Sequence, residues 1–521
     1  MPLDAIDLTV FSSLFSSVAE EMGVTLCRAA YSPNIKERRD YSCALFDDQG
    51  RLVAQAAHIP VHLGSMPEAV RVALERVTFV PDDLVIFNDP YLGGTHLPDV
   101  TMVSAVFFGD DLVGYVASRA HQADIGGMSP GSMPLSTELY QEGIIIPPVK
   151  LLSAGQVNQP LLDLIYRNVR TPAERAGDFA AQMAAHRTGE TRLIDLVRRY
   201  SLPKVREAMS AVMDYSESVT RAALLAIPAG VMTFDDQLDD DGIDPSPISM
   251  RVTVTIADGG LTADFTGCAS ERRGSINAVR AVTLSAVYYV VRCLVGEDVP
   301  VNDGCFRPVH VITPEDTVVN PRPPRAVAAG NVETSQRIVD LLLGALASAL
   351  PDRIPAASNG SMNNVTIGGV DPSGRPFAYY ETIGGGTGAG PTSDGLSAVH
   401  SHMTNTQNTP VESLEFAYPF RVRDYGVATG TGGGGKHTGG DGIRRVYEFL
   451  CPATVTIVSE RRVSQPYGLS GGQPGASGVN QLRRKNGEWQ PLPAKTRIEV
   501  EAGDQVSITT PGGGGWGKAT G

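Results

Sequence analysis

Long hydrophobic runs are missing from this chain. Although 42% of its 521 residues are hydrophobic, its longest apolar stretches, such as residues 341–346, are short. A transmembrane helix needs roughly 20 consecutive apolar residues. Residues 1–7 (MPLDAID) also lack the basic region and apolar stretch of a secretory signal. We therefore expect a cytoplasmic protein that has no membrane partner.

Cysteine is scarce, and none of the six residues has the paired spacing of a disulfide framework or a zinc ribbon. Such scattered cysteines are typical of reduced, mostly buried thiols in a cytoplasmic protein. They are Cys27, Cys43, Cys268, Cys293, Cys305 and Cys451.

Basic charge is in deficit, since 43 Lys and Arg residues face 57 Asp and Glu residues and the formal net charge is −14. Nucleic acids and anionic membranes bind to basic surfaces. The charge balance therefore excludes both as main partners. It leaves room for a local basic pocket that binds a phosphate or a carboxylate.

The length and the order of patterns predict a multi-lobed α+β fold with mixed helices and antiparallel sheets. A chain of 521 residues exceeds one ordinary core. Apolar residues at helical spacing recur near the N-terminus and again over residues 172–228, whereas the last 170 or so residues are rich in glycine and short strands. The change near residue 230 predicts a lobe of hairpins and long helices over residues 1–230. A mixed lobe with Gly-rich loops and C-terminal strands is expected over residues 231–521.

Two apolar runs, residues 100–108 and 112–117, flank Gly109-Asp110-Asp111 and predict a β-hairpin. If residue 110 is its centre, Asp99 and His121 face each other, with Cα atoms roughly 4.5–5.5 Å apart. His96 lies three residues before Asp99, in a loop that contains Gly93-Gly94 and Pro98. Two imidazoles and a carboxylate at the open end of one hairpin suit a divalent metal. The alternative is ordinary turn chemistry around satisfied polar residues.

Two Gly-rich segments invite a nucleotide-binding interpretation. Residues 430–437 (GTGGGGKH) differ from a P-loop at the last position, where histidine replaces the Ser or Thr that binds magnesium. The TGGDG that follows is not a helix start, and residues 383–390 have no strand–helix context either. Both segments are better explained as close-packed loops, or as backbone that a substrate or partner can approach.

Two further polar segments have open interpretations. His400 and His402 would share a face if the chain is extended there, which allows a second metal site, but a hydrogen-bonding loop that lines a cleft is favoured for residues 397–410. Residues 32–41 hold two carboxylates beside two arginines. This pattern is typical of a solvated ion-pair cluster, and it could also supply a fourth metal ligand.

Taken together, motifs from the first fifty residues to beyond residue 470 resemble the hydantoinase B/oxoprolinase family. The resemblance covers essentially the whole chain and is more specific than any single motif. The motifs are residues 34–42 (NIKERRDYS), 58–64 (HIPVHLG), 88–90 (NDP) with His96 and Asp99, 404–406 (TNT) with 408–410 (NTP), and 460–462 (ERR) with 468–472 (GLSGG).

The resemblance implies a division of labour between two subunits. The family includes B subunits of ATP-dependent N-methylhydantoinases, the C-terminal half of 5-oxoprolinases, ATP-dependent caprolactamase, and metal-bearing subunits of acetone and acetophenone carboxylases. A hydantoinase A-type partner with an actin-like ATPase fold uses ATP to phosphorylate the substrate oxygen. The B subunit carries a divalent metal and completes the reaction. A hetero-oligomer that opens a small cyclic amide is therefore the expected assembly.

The ligands implied by the resemblance are two histidines, an aspartate and a further acidic residue. They fall on His96, Asp99 and His121, with the acidic ligand within residues 37–40. Glu37 is preferred, and Asp40 stays open. These ligand types suit zinc, manganese and iron alike, so the metal is not determined.

Four further residues are candidates for catalysis around that metal. Asp124, just beyond His121, is either a second-layer orienter or base, or a turn cap. His58, His62 and Asp89 are expected to line the same cleft.

Two other functions use the same residues. In a ketone carboxylase subunit, the metal would stabilise an enolate or bind CO₂ derived from bicarbonate. In a non-catalytic scaffold, the chain would only stabilise its ATPase partner. Converging histidines and carboxylates argue against the scaffold, because it has no physical need for them.

Overall fold

The computed structural model describes residues 4–57, 59–296 and 298–519. Helices and mostly antiparallel sheets share these ranges, which confirms the predicted α+β class. The helices are α1 (Ala5–Ala29), α2 (Pro33–Lys36), α3 (Ser65–Arg76), α4 (Gln159–Arg167), α5 (Pro172–Tyr200), α6 (Leu202–Leu225), α7 (Arg280–Val295), α8 (Ser335–Leu346) and α9 (Val411–Ala417). None of the helices in the described ranges has the length and apolarity that crossing a membrane requires.

The strands form four sheets. Their bounds are β1 (Tyr41–Asp47), β2 (Leu52–Ala57), β3 (Leu84–Phe87), β4 (Asp99–Phe108), β5 (Asp111–His121), β6 (Val149–Ser153), β7 (Gln156–Val157), β8 (Gly230–Leu238), β9 (Ile248–Ala257), β10 (Gly260–Asp264), β11 (Val309–Ile312), β12 (Asn364–Val370), β13 (Pro376–Glu381), β14 (Phe420–Ala428), β15 (Gly442–Phe449), β16 (Ala453–Val458), β17 (Val479–Arg483), β18 (Trp489–Leu492), β19 (Lys495–Val500) and β20 (Gln505–Thr509).

The first sheet has seven strands in the order β2-β1-β5-β4-β3-β6-β7 and is buried on both faces. Alternate residues of β1 point to opposite faces, as strand geometry requires. Leu45 packs with α1, α5 and α6 on one face, and Phe46 packs with α3 on the other. This double cover holds the β4–β5 hairpin rigidly in the centre of the sheet.

The other three sheets follow residue 230. Their orders are β11-β10-β9-β8, β13-β12-β16-β19 and β14-β15-β20-β17-β18. A break between α6 and β8 coincides with the predicted change at residue 230. One hydrophobic cluster nevertheless runs from Ile59 to Val458 and includes α7 and α8. The two-lobe division remains a prediction, and the core is continuous across it.

The Gly-rich segments are loops. Residues 430–437 lie between β14 and β15, and no helix begins before β15. These loops pack backbone against backbone: a Cβ on Gly432 would lie 1.9 Å from the carbonyl oxygen of Gly439. The absence of a helix start removes the context in which a P-loop holds phosphates.

Candidate metal centre

Asp99 and His121 are the first residue of β4 and the last residue of β5, and they pair directly across the hairpin. This is the geometry that the sequence predicts. The turn is residues 109–110, which alone would set Asp99 across from Ala120. Val113 has no partner in the register and forms a bulge that shifts the pairing by one residue. The bulge therefore places His121 on the same face as Asp99.

His96 completes a triangle of metal-binding atoms. His96 Nε2 lies 3.2 Å from Asp99 Oδ1 and 3.2 Å from His121 Nδ1, and His121 Nδ1 lies 3.1 Å from Asp99 Oδ1. Ligands about 2.0–2.2 Å from one ion stand roughly 3.0–3.5 Å apart in octahedral or tetrahedral geometry. All three residues are buried, and they are a group that could hold a metal ion. The donor set and its spacing fit a divalent cation.

Neighbouring groups fix the direction of two of these donors. His96 Nδ1 lies 3.3 Å from the carbonyl oxygen of Ala328, so it carries the proton and leaves Nε2 free to bind. Thr95 Oγ1 donates to Asp99 Oδ2 at 2.6 Å, which leaves Oδ1 at the triangle. Ligand orientation by outer hydrogen bonds is common in metal sites.

Asp99 and His121 have pKa shifts that favour the protonation states of metal ligands, whereas His96 does not. Burial acts to raise the pKa of Asp99, but the charge of His96 and a hydrogen bond from His121 hold that pKa well below its ordinary value. Burial lowers the pKa of His96, and the charge of Asp99 outweighs it, so that pKa is raised. For His121 burial prevails and the pKa is lowered. The ionised Asp99 and the neutral His121 are in the states that a metal requires, and a cation would have to displace the proton that the raised pKa favours on His96.

His62 approaches the triangle from a separate segment. Its Nε2 lies 3.5 Å from Asp99 Oδ2 and has no hydrogen-bond partner, and its Nδ1 lies 2.9 Å from Ser42 Oγ. The ring is buried. It is thus held at one nitrogen, and the other nitrogen is directed at the centre.

Asn331 reaches the triangle from a π-helical turn, Gly330–Thr334, that precedes α8. Its Nδ2 lies 3.1 Å from His96 Nε2, and its Oδ1 is buried without a hydrogen-bond partner. A Cβ on Gly330 would lie 1.8 Å from the carbonyl oxygen of Asn277, so the turn requires glycine there. Such π-helical turns are rare and often occur at functional sites.

A small cavity of about 20 Å³ lies beside the triangle. This volume is enough for about one water molecule. The walls come from both halves of the chain: Asp40, Ile59, Val61, His62, Asp99, His121, Asn331, Val332, Met362, Tyr380, Thr382, Thr404 and Thr406. Tyr380 stacks on His121 with ring centroids 4.5 Å apart.

The cavity distinguishes the two candidates for the acidic ligand. Asp40 lines it and is buried, and its backbone carbonyl accepts a hydrogen bond from the His121 amide at 3.0 Å. Glu37, the acidic ligand preferred in the sequence analysis, is only half-buried and is not among the lining residues. The structure therefore places Asp40, and not Glu37, beside the triangle.

Asp124 and Asp89, two other predicted site residues, do not line the cavity. Asp124 is fully buried and braces a loop, since it accepts from the backbone of Gly126 and Gly131 and forms an ion pair with Arg170 at 2.8 Å. Asp89 accepts from the Tyr91 amide at 3.0 Å and does not line the cavity. His58 lies outside the described residues.

The polar segment around residues 397–410 divides between its two interpretations. Among the described residues, only the group of His96, Asp99 and His121 brings three potential ligands together, so a second metal site is not found there. His402 Nε2 instead lies 3.5 Å from Asp340 Oδ1. Thr404 and Thr406 line the cavity, which confirms the predicted loop at a cleft.

Several cavity residues carry no sequence signal of their own. Asn331, Tyr380 and Thr382 lie more than 200 residues from His121, in segments whose patterns indicate only core helix or strand. Thr404 and Thr406 differ from these three, because they lie in a segment whose unusual polarity is visible in the sequence. Only the packing of distant segments brings the others to the site.

Comparisons with known proteins place the chain in a family. A model of the Hydantoinase B/oxoprolinase family matches residues 4–519. An uncharacterized protein of Methanocaldococcus jannaschii is 43% identical, covering 99% of this chain and 91% of that protein. A 5-oxoprolinase 1 of Arabidopsis thaliana is 40% identical over 99% of this chain, which spans only 42% of that longer protein.

Two solved structures share the fold. The ATP-dependent caprolactamase of Pseudomonas jessenii superimposes with a TM-score of 0.93 at 28% identity, covering 99% of this chain and 91% of that chain. Acetone carboxylase in its nucleotide-free state has a TM-score of 0.90 at 19% identity, covering 98% and 75%. The second likeness concerns the fold alone.

Proposed function

This chain belongs to the hydantoinase B/oxoprolinase family, and on that basis we propose that it is the metal-bearing subunit of an ATP-dependent cyclic amide hydrolase. Its substrate is a hydantoin, 5-oxoproline or lactam ring that a hydantoinase A-type partner has phosphorylated with ATP. The observation that carries this proposal is the triangle of His96, Asp99 and His121, whose edges of 3.1–3.2 Å suit one divalent cation.

Four residues are assigned to the metal, which is zinc, manganese or iron. His96, Asp99 and His121 hold it with the atoms of the triangle. Asp40 is the fourth ligand, because it is the acidic residue of the 37–40 segment that lines the cavity. A cation held there would act as a Lewis acid and would lower the pKa of bound water toward neutral pH.

The protein's own groups then orient the reactants and move protons. His62 is assigned as the general base, because its Nε2 is buried in the cavity wall without a hydrogen-bond partner while Ser42 holds its Nδ1. Asn331 directs an amide group at the same place and orients a substrate oxygen. Asp124 and Asp89 are positioning residues that hold the loops flanking the hairpin.

A separate ATPase partner is part of the proposal. The Arabidopsis 5-oxoprolinase is more than twice as long as the region this chain matches, whereas the Methanocaldococcus relative is of similar length. The family thus occurs in a long form and in a short form. A partner would supply the remainder to the short form, and the Gly-rich loops of this chain lack the helix that a P-loop needs.

The direct test is turnover by the purified complex of this chain with its hydantoinase A-type partner. The assay offers 5-oxoproline, hydantoin and caprolactam with ATP, with and without bicarbonate. We expect ring opening of one of them that does not depend on bicarbonate. Turnover of a ketone such as acetone only when bicarbonate is present would move the chain to the carboxylases and contradict the proposal.

Asp40→Asn is expected to lower the metal content of the purified chain by at least about tenfold, whereas Glu37→Gln leaves it unchanged. The reason is that an amide oxygen keeps the shape of the carboxylate but loses the charge that binds a divalent ion. Metal per chain is measured by inductively coupled plasma mass spectrometry. The two variants are matched, since each changes one acid to its amide. Metal loss in Glu37→Gln alone would reverse the assignment.

A further inference from the structure

Arg38 is a fully buried arginine, and no carboxylate of the described residues lies within hydrogen-bond distance of its guanidinium. The ion pair that the structure gives it is with Asp40 Oδ2, at 3.8 Å. Its guanidinium donates instead to Asn34, to the carbonyl oxygen of Tyr380 at 3.0 Å and to Thr382 Oγ1 at 3.0 Å. Burying a charge without a close counter-charge is costly. The arrangement therefore suggests that the charge acts on a ligand.

A chain of hydroxyl groups leads away from this guanidinium. Thr382 Oγ1 lies 2.8 Å from Thr406 Oγ1, which lies 3.4 Å from Thr404 Oγ1. All three threonines are buried. The chain joins two segments that are distant in sequence, the end of β13 and the loop before α9, and the amide of Gln407 anchors that loop on the carbonyl oxygen of Arg38 at 3.1 Å.

The guanidinium fixes the direction of the first hydrogen bond in this chain. A guanidinium can only donate, so Thr382 Oγ1 accepts from Arg38 and its own proton is free for Thr406. Either Thr406 or Thr404 can be the donor in the next hydrogen bond, and Thr406 donates to Thr404 when Thr382 donates to Thr406. Hydrogen bonds in such a chain polarise one another. When every proton of the chain points away from Arg38, the Thr404 hydroxyl is a donor that the positive charge strengthens.

The chain ends at the metal centre. Thr382, Thr404 and Thr406 line the same cavity as His62, Asp99 and His121. Its volume of about 20 Å³ suits about one oxygen atom. A polarised donor in a buried site of this size stabilises an anionic oxygen, because it replaces the hydration that the oxygen loses.

We propose that Thr404, backed by Thr406, Thr382 and Arg38, forms a subsite that binds an anionic phosphoryl oxygen of the phosphorylated substrate. Thr404 contacts the ligand, and the other three residues are positioning residues that set its proton. This inference rests on the proposed function, since it takes the ligand to be a phosphorylated cyclic amide or the phosphate that its hydrolysis releases.

The test measures binding of inorganic phosphate to the full-length, metal-loaded chain by isothermal titration calorimetry. Thr404→Val removes the hydroxyl at nearly constant volume and is expected to weaken phosphate binding by at least about tenfold, since hydrogen bonds to charged groups are the stronger class. Thr382→Val is expected to weaken it as well, and Thr382→Ser to restore it. That rescue separates the polarised chain from mere packing.

Thr409→Val is the matched control on the same loop. Thr409 is buried and its Oγ1 has no hydrogen-bond partner, so its loss leaves phosphate affinity unchanged. An equal loss in Thr409→Val, or unchanged binding in Thr404→Val, would overturn the subsite. So would a wild-type chain that binds no phosphate, even where the complex opens cyclic amides. Conversely, the expected pattern would uphold the subsite even if no cyclic amide is turned over.

Discussion

Replacing His121 with alanine is expected to strip the divalent metal from the purified chain and to reduce cyclic amide turnover by more than about a hundredfold. Loss of a residue that merely orients a metal ligand costs roughly 10–100-fold, and His121 is assigned as a ligand itself. Its Nδ1 forms two of the three edges of the triangle. His96→Ala removes a different pair of edges and should have the same effect. Metal content and turnover are measured on the same preparations.

His310→Ala provides the matched control for this prediction. His310 is an exposed histidine on β11 and does not line the cavity. Its replacement is expected to leave metal content and turnover as in the wild type. If His96→Ala and His121→Ala both kept full activity in the complex, the chain would act as a scaffold for its ATPase partner, and the metal-centred function would be wrong.

Lys495→Met is expected to lower the free energy of unfolding by about 3–5 kcal/mol, the usual effect of removing one partner of a buried ion pair. Lys495 Nζ lies 2.6 Å from Glu460 Oε1, and both side chains are at most 1% exposed. Burial raises the pKa of Glu460 against the opposing charge of Lys495. Methionine fills the space but leaves this carboxylate without its closest counter-charge. Urea denaturation followed by circular dichroism measures the change.

Two further variants test the cause of that effect. Glu460→Gln in the Lys495→Met background removes a buried charge that only Arg337, at 3.4 Å, still compensates, and it is expected to recover part of the stability. Arg71→Met breaks an exposed pair with Glu68 on α3 and should cost less than about 1 kcal/mol. Equal losses in the free energy of unfolding for Lys495→Met and Arg71→Met would show that burial does not increase the contribution of the Lys495–Glu460 pair to stability.

The local sequence pattern was sufficient to predict the centre of the candidate metal site. Alternating apolar runs around residues 109–111 predict the hairpin, and a centre at residue 110 predicts that Asp99 faces His121. The pairing is confirmed, although the structural features that produce it are not evident in the sequence. The turn is centred half a residue earlier, and the bulge at Val113 compensates. The turn position and the bulge shift the strand register in opposite directions. The apolar pattern constrains only the final register, in which Asp99 faces His121.

The choice between Glu37 and Asp40 needed the tertiary structure. Both acids lie within four residues of each other, so spacing does not separate them. Between them Arg39 adopts a left-handed backbone (φ 56°), and only Asp40 reaches the cavity wall. A positive φ at arginine is not predictable from composition, because ordinary side chains rarely adopt it.

The sequence by itself determined the α+β class, the absence of a P-loop context and the hairpin with His96, Asp99 and His121. These features depend on strand periodicity, on turn residues and on contacts within about 25 residues of chain. Only the tertiary structure decided that Asn331, Tyr380 and the threonine chain behind Arg38 surround the same cavity. Their contacts span 200 residues or more. Such contacts follow from the packing of whole sheets and helices, for which single residues carry no local signal.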